Sequence, residues 1–143
     1  MGRVSNVVGE IRRPGSVRVG RSRVHGRGVF AMIALPGRRK LGELAGRVVP
    51  RLGLRRAIRT EPVIYYVALN PRDALDCRDG NAFSHLNHSC EANCYLRVSG
   101  LRVEVYSLRP IGVGDELTVD YGVTPHAGGM VCHCGASSCR GRL

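Results

Sequence analysis

The sequence predicts a mainly β fold with little helix, on three observations. Apolar and polar residues alternate over 101–106 and again over 116–121, as half-buried strands require. Residues 63–69 form a β-branched and aromatic run suited to a pleated surface. Turn-forming clusters then separate the runs, among them Asn70-Pro71-Arg72-Asp73, Asp79-Gly80-Asn81 and Ile111-Gly112-Val113-Gly114-Asp115.

In chain order, Val17-Arg18-Val19 reads as a short strand inside a basic flank over 1–22 that includes a flexible lead-in. The turn His25-Gly26-Arg27-Gly28 runs into the apolar strand Val29-Phe30-Ala31-Met32-Ile33, and its glycines let the backbone take positive φ and approach a ligand. Residues 36–40 form a polar turn, and 41–49 read as a strand pair interrupted by Gly46. A short helix is expected over 51–59, with Leu54 and Ile58 four apart and Gly53 weakening it. Cys77 falls outside any metal spacing and is expected as a plain buried thiol. Residues 82–86 lead into the central stretch. Alternation over 116–121 puts Leu117, Val119 and Tyr121 on one face, directing the Tyr121 hydroxyl inward at a strand end. A loop over 124–130, with Pro125, Gly128 and Gly129, returns the chain to a cysteine-rich tail.

At 143 residues the chain is expected to be one domain with a real core. No run approaches the roughly 18 to 20 apolar residues that span a bilayer, and the basic N-terminus has no apolar leader core. The expectation is a soluble intracellular protein with no membrane contact, at chromatin if it serves a nucleus and in the cytoplasm if bacterial. Net charge is +11 and uneven: residues 1–60 hold 15 basic side chains against Glu10 and Glu43, net +13, whereas 61–143 hold 7 arginines against 9 acids, net −2. Such asymmetry suits weak nucleic-acid contact through the basic first half. The use of 21 arginines against Lys40 alone points instead to compositional bias and a solvated surface.

The tail carries Cys132, Cys134 and Cys139, a C-x-C-x4-C cluster that supplies three close thiolates. Such close spacing favours metal ligation over disulfides. A closed structural zinc site takes four ligands, each thiolate at about 2.3 Å. Cys90 or Cys94, in Asn87-His88-Ser89-Cys90-Glu91-Ala92-Asn93-Cys94, is the nearest source of the fourth, and His133 is a poorer one because it sits between two ligands.

That central motif, the run Glu116-Leu117-Thr118-Val119-Asp120-Tyr121-Gly122, the upstream Gly26-Arg27-Gly28-Val29-Phe30-Ala31 and the terminal cysteines together resemble a SET domain with a post-SET zinc tail. The resemblance spans 23–143 and implies several small curved sheets with a pseudo-knot near the C-terminus, a SET domain over 23–123 and a zinc-binding tail over 124–143. It further implies an S-adenosylmethionine-dependent protein-lysine methyltransferase acting on a histone or another lysine-bearing protein. Carried over position by position, it assigns catalysis to Tyr121, cofactor contacts to Arg27, Gly28, Val29, Asn87, His88 and Tyr121, and structural Zn2+ to Cys90, Cys132, Cys134 and Cys139.

Methyl transfer to lysine needs collinear nitrogen, carbon and sulfur, with nucleophile and carbon about 3 Å apart. It also needs a neutral amine, although a free lysine has a pKa of about 10.4. A narrow apolar channel lowers that value by desolvation. Leu44, Val67, Leu117 and Val119 are the expected walls, with Tyr121 orienting the amine. Relatives carry tyrosines where this chain has Leu44 and Val119, which implies a roomier pocket and more than one methyl added. Ser84 and His85 depart from the family pattern, which leaves open a degenerate SET-like binding module; a small zinc module binding nucleic acid is the other alternative. Monomer and homodimer both stay open.

Overall fold

The computed structural model describes residues 15–126 and 128–143, so residues 1–14 of the expected basic flank lie outside the described residues. Among the described residues ten strands follow in order: β1 (Val17–Arg21), β2 (Arg27–Ala31), β3 (Lys40–Glu43), β4 (Arg47–Pro50), β5 (Tyr66–Ala68), β6 (Asp73–Asp76), β7 (Asn87–His88), β8 (Cys94–Ser99), β9 (Arg102–Ser107) and β10 (Glu116–Val119). Helix among the described residues is limited to α1 (Leu54–Ile58) and a 3-10 turn at Ala82–His85. The strands form three small sheets ordered β1-β2-β10-β7, β3-β9-β8 and β4-β6-β5.

β10 is the strand on which the site depends. One edge pairs antiparallel with β2 and the other runs parallel to β7. A hairpin cannot supply a parallel neighbour, so a mid-chain segment must cross over to lie beside this late strand. Asn93 fastens the crossing: its Nδ2 donates to the Glu116 carbonyl at 2.8 Å, and its Oδ1 accepts the Thr118 N–H at 2.9 Å. The Ser89 N–H donates to the Val119 carbonyl one step further on, completing the knot-like contact expected near the C-terminus.

The core takes residues from all three sheets. Val29 and Leu117 of the first, Cys94, Val103 and Val105 of the second and Leu75 of the third fall in one buried cluster. Each such aliphatic side chain contributes on the order of 2 kcal/mol when fully removed from water. The only lysine, Lys40, is buried as well, with Nζ held by Glu43 at 2.6 Å and Glu104 at 3.0 Å.

Several local expectations change. The 41–49 pair is two strands that do not pair with each other: β3 joins β9, and β4 joins β6. Gly46 sits between them where a Cβ would come within 2.3 Å of the Asp76 carbonyl, so the break marks a close backbone approach. The expected 63–69 strand shrinks to β5, since only those residues find a register partner on β6. Arg27 and Gly28 belong to β2 rather than to the turn, because their pairing with Arg21 and Gly20 on β1 carries the ladder to the hairpin end. β10 stops at Val119, and Tyr121 lies beyond it.

Candidate functional site

At the start of the site, the Asn87 side chain joins three segments. Its Nδ2 lies 3.0 Å from the His25 carbonyl, 2.9 Å from the Arg27 carbonyl and 2.9 Å from Glu116 Oε1. The turn before β2, the first residue of β10 and β7 are thereby tied at one buried amide. Glu116 is held from the other side by Ser22 Oγ, at 2.8 and 2.9 Å. Gly28 makes this possible, because a Cβ there would collide with Glu116 Oε1. The space above Gly28 is therefore filled by a carboxylate of the protein.

One residue further, His88 is buried and faces both ways. Its Nδ1 accepts the Tyr121 N–H at 3.0 Å, which places the ring proton on Nε2. That nitrogen faces Cys90 Sγ at 3.3 Å. Burial lowers the His88 pKa below the ordinary histidine value, outweighing the nearby Asp120 carboxylate, so the ring is neutral. The Tyr121 ring meets the imidazole edge-on, with centroids 5.5 Å apart. Its hydroxyl donates to the Leu86 carbonyl at 2.6 Å, and burial raises the phenol pKa above its usual value.

Beside this histidine the sulfurs of Cys90, Cys132, Cys134 and Cys139 all lie within 4.8 Å of one another, and none is in a disulfide. Cys90 and Cys132 are 3.8 Å apart, the edge expected of a tetrahedron with arms of about 2.3 Å. The donor set can hold a metal ion. Cys94 is instead buried in the core, where loss of water pushes its thiol up to about 12, and His133 is exposed and outside the group. The tail has further fastenings. Arg140 forms a two-pronged pair with Asp120, at 2.9 and 3.1 Å, and brings that carboxyl down to about 2. The Glu91 carboxylate accepts from the Ser138 N–H and from the Ser137 and Ser138 hydroxyls, at 2.9 to 3.1 Å.

Tyr121 also opens onto a cleft of about 1010 Å³. Leu44, Val67 and Val119 line it with Tyr121, as do Tyr65, Cys77 and Ser84. Leu117 does not; it is fully buried in the core with Val29. Arg27, Gly28, Val29, Asn87 and His88 are likewise absent from the cleft walls. Cys77 is a buried thiol, pushed up to about 11 by burial, with Sγ 2.9 Å from the Tyr65 carbonyl. A mid-chain bend, a late tyrosine and a terminal cysteine cluster thus converge at the end of β10.

The model of the SET domain family matches residues 26–122. The chain is a SET-domain protein. The chain is 32% identical over 141 residues to the human histone-lysine N-methyltransferase SETD1A, covering 92% of the chain and 8% of that relative. It is 33% identical over 141 residues to the Schizosaccharomyces pombe histone-lysine N-methyltransferase called H3 lysine-4 specific, covering 92% of the chain and 15% of the relative. A third relative, histone-lysine N-methyltransferase TRX1 of Oryza sativa, is 33% identical over 133 residues, covering 85% and 13%. The chain therefore spans a small part of the length of the curated relatives it matches.

Sequence reasoning missed several residues of this SET domain that shape the site. Glu116 opens the 116–122 run without a role of its own there, yet it supports Asn87 and fills the space over Gly28. Glu91, Asp120 and Arg140 pair across long sequence separations that local patterns do not reveal. The arginines lining the cleft, Arg51, Arg55 and Arg72, were visible only as part of an overall basic composition.

Proposed function

We propose that this SET domain is a protein-lysine N-methyltransferase that uses S-adenosylmethionine, with histones as the substrate class suggested by its relatives' names. The observation that carries the reading is the Tyr121 phenol, set in a cleft with apolar walls and hydrogen-bonded through its backbone to the Asn87–His88 bend. S-adenosylmethionine supplies, when bound, a methyl group made electrophilic by a sulfonium. The protein's own part is to accept a lysine side chain between Leu44, Val67 and Val119, to exclude water and so favour the neutral amine. The Tyr121 oxygen, oriented by its bond to the Leu86 carbonyl, then accepts an amine N–H and aims the nitrogen lone pair.

For the cofactor, the Asn87 amide and the space over Gly28 are already engaged by protein atoms. Contacts from that side fall to backbone groups of Arg27, Gly28, Val29 and His88, with exposed Arg27 at the outer edge. For the metal, the four sulfurs fit structural zinc, which would pin residues 124–143 as a closing tail on the order of 10 kcal/mol more firmly than the polypeptide alone.

The test is transfer of labelled methyl from S-adenosylmethionine into histones and a mixed protein lysate. Incorporation that Tyr121→Phe lowers by about a hundredfold, with the variant still folded by its melting curve, is the expected result. No incorporation, or equal incorporation by the variant, sinks the reading. Mass spectrometry of the product should show more than one methyl, given Leu44 and Val119; strict monomethylation removes that expectation.

A further inference from the structure

Residues 52–64, which include α1, form a wall of the cleft that holds Tyr121, through Leu52, Leu54, Ile58 and Ile64. None of these thirteen residues is buried. The stretch is anchored at its two ends: the Arg51 N–H donates to the Arg72 carbonyl at 2.8 Å, and the Tyr65 carbonyl accepts the Cys77 N–H at 2.9 Å. Between these anchors the backbone bonds within its own turns, as where the Glu61 N–H donates to the Ile58 carbonyl at 3.0 Å. Among the described residues one hydrogen bond alone ties 52–64 to a distant part of the chain: His126 Nε2 lies 2.8 Å from the Glu61 carbonyl. A carbonyl only accepts, so Nε2 carries a proton, and Thr124 Oγ1, 3.0 Å from Nδ1, fixes the direction of the ring. Thr124 is buried and lines the cleft with Pro125. It follows Tyr121 by three residues, at most about 11 Å of extended chain.

We infer that His126 is a positioning residue, latching the wall 52–64 to the loop that follows Tyr121 so that the cleft keeps one width for its substrate. The inference rests on the methyltransferase reading for what the cleft receives and adds how its wall is held. A stretch with no buried side chain has little packing of its own, and such segments open at small cost. One hydrogen bond then decides between a wall that is fixed and one that swings. Its partners sit on the two segments that it joins, Glu61 just past α1 and His126 on the loop after Tyr121. The Glu61 side chain takes no part, since the backbone oxygen is the acceptor. A substrate that meets a wall already in place need not order one on arrival, which lowers KM and leaves the chemistry at Tyr121 unchanged.

The experiment compares the native protein with His126→Ala, His126→Gln and Glu61→Ala, each checked by its melting curve, using amide hydrogen exchange and methyl transfer to histones. In His126→Ala, exchange over 54–61 should quicken about tenfold while β8 and β9 keep their native rates. KM for the histone should rise about tenfold, with kcat within about twofold of native. His126→Gln, whose amide N–H can reach the same carbonyl, should restore both, and Glu61→Ala should change neither. Unchanged exchange in His126→Ala overturns the inference, as does quickened exchange with an unchanged KM. Failure of His126→Gln to restore what His126→Ala loses overturns it too, because packing of the ring would then stand in place of the hydrogen bond. No transfer to any protein, with exchange responding as expected, sinks the methyltransferase reading and leaves the latch in place.

Discussion

On the tail side of the cleft, Arg140 grips Asp120 with two hydrogen bonds and Glu91 collects three from Ser137 and Ser138. On the α1 side, Arg55 and Arg72 stand at the same cleft without an anion. The residue types are alike, but the tail's charges are matched within the chain and those beside α1 are not. Matched charges hold a segment in place, whereas unmatched ones are available to something that arrives. The tail also brings three thiols against Cys90, while α1 buries no residue and has no side-chain cap. One side is fastened within the chain, and the other has no such side-chain pairs at Arg55 and Arg72 among the described residues.

The largest effect should come from removing the tail's cysteine cluster. In Cys132→Ser/Cys139→Ser, the metal content measured by plasma mass spectrometry should fall from about one ion per chain to none, and methyl transfer should fall with it. Limited proteolysis should then cut within 124–143 while the rest of the domain resists. A tail that stays protected without metal would mean that the Arg140 and Glu91 contacts suffice, and the two sides would differ less than described.

Asn87→Ala attacks the joint of β2, β7 and β10, leaving the His25 and Arg27 carbonyls without this donor and Glu116 with Ser22 alone. A loss of about 2 to 4 kcal/mol in urea unfolding is expected. A loss under 1 kcal/mol would show that water replaces the amide.

Arg140→Gln should cost little stability at neutral pH, because this pair is half exposed and screened by solvent. Its signature is in pH. Asp120 has a folded pKa near 2, below the unfolded value of about 3.9, so its contribution is complete above pH 4 and disappears as pH falls toward 2. The gap in melting temperature between the native protein and Arg140→Gln should therefore close across that window. Glu43, also brought down to about 2 chiefly by Arg102, titrates in both proteins and cancels in the comparison. A gap constant from pH 5 to pH 2 would refute the assignment.

Smallest in stability are Arg55→Gln and Arg72→Gln, each expected within about 0.5 kcal/mol of the native protein by urea unfolding. A larger loss would show that these guanidiniums hold the fold together despite their exposure.

How much of this was legible follows from how local each feature is. The tail cysteines and the Asn87–Cys94 motif announce themselves by spacing, and the alternation over 101–106 and 116–121 locates β9 and β10. β8 was hidden because Cys94 drew attention as a ligand, although Tyr95 to Val98 follow it as a strand paired with β9. β6 was hidden because its first residue, Asp73, closes a turn: Asn70 Oδ1 accepts the Asp73 N–H at 2.8 Å. Partner choice was not legible at all, since β3 and β4 each pair with strands far along the chain. Tyr121 was expected on a strand end and lies past it; its amide bonds to an imidazole that no periodicity could have named. The arginines of the cleft were lost in a composition basic throughout, and only the fold separates those with partners from those without.

His88 touches the tyrosine's amide with one nitrogen and the cysteine cluster with the other. A single flat ring therefore sets the distance between the Tyr121 end of the domain and its cysteine cluster. Grafting a tail from another family member, or transplanting this tyrosine loop alone, would change the length of that strut, so an engineer who wants to exchange either part must move both with the histidine between them.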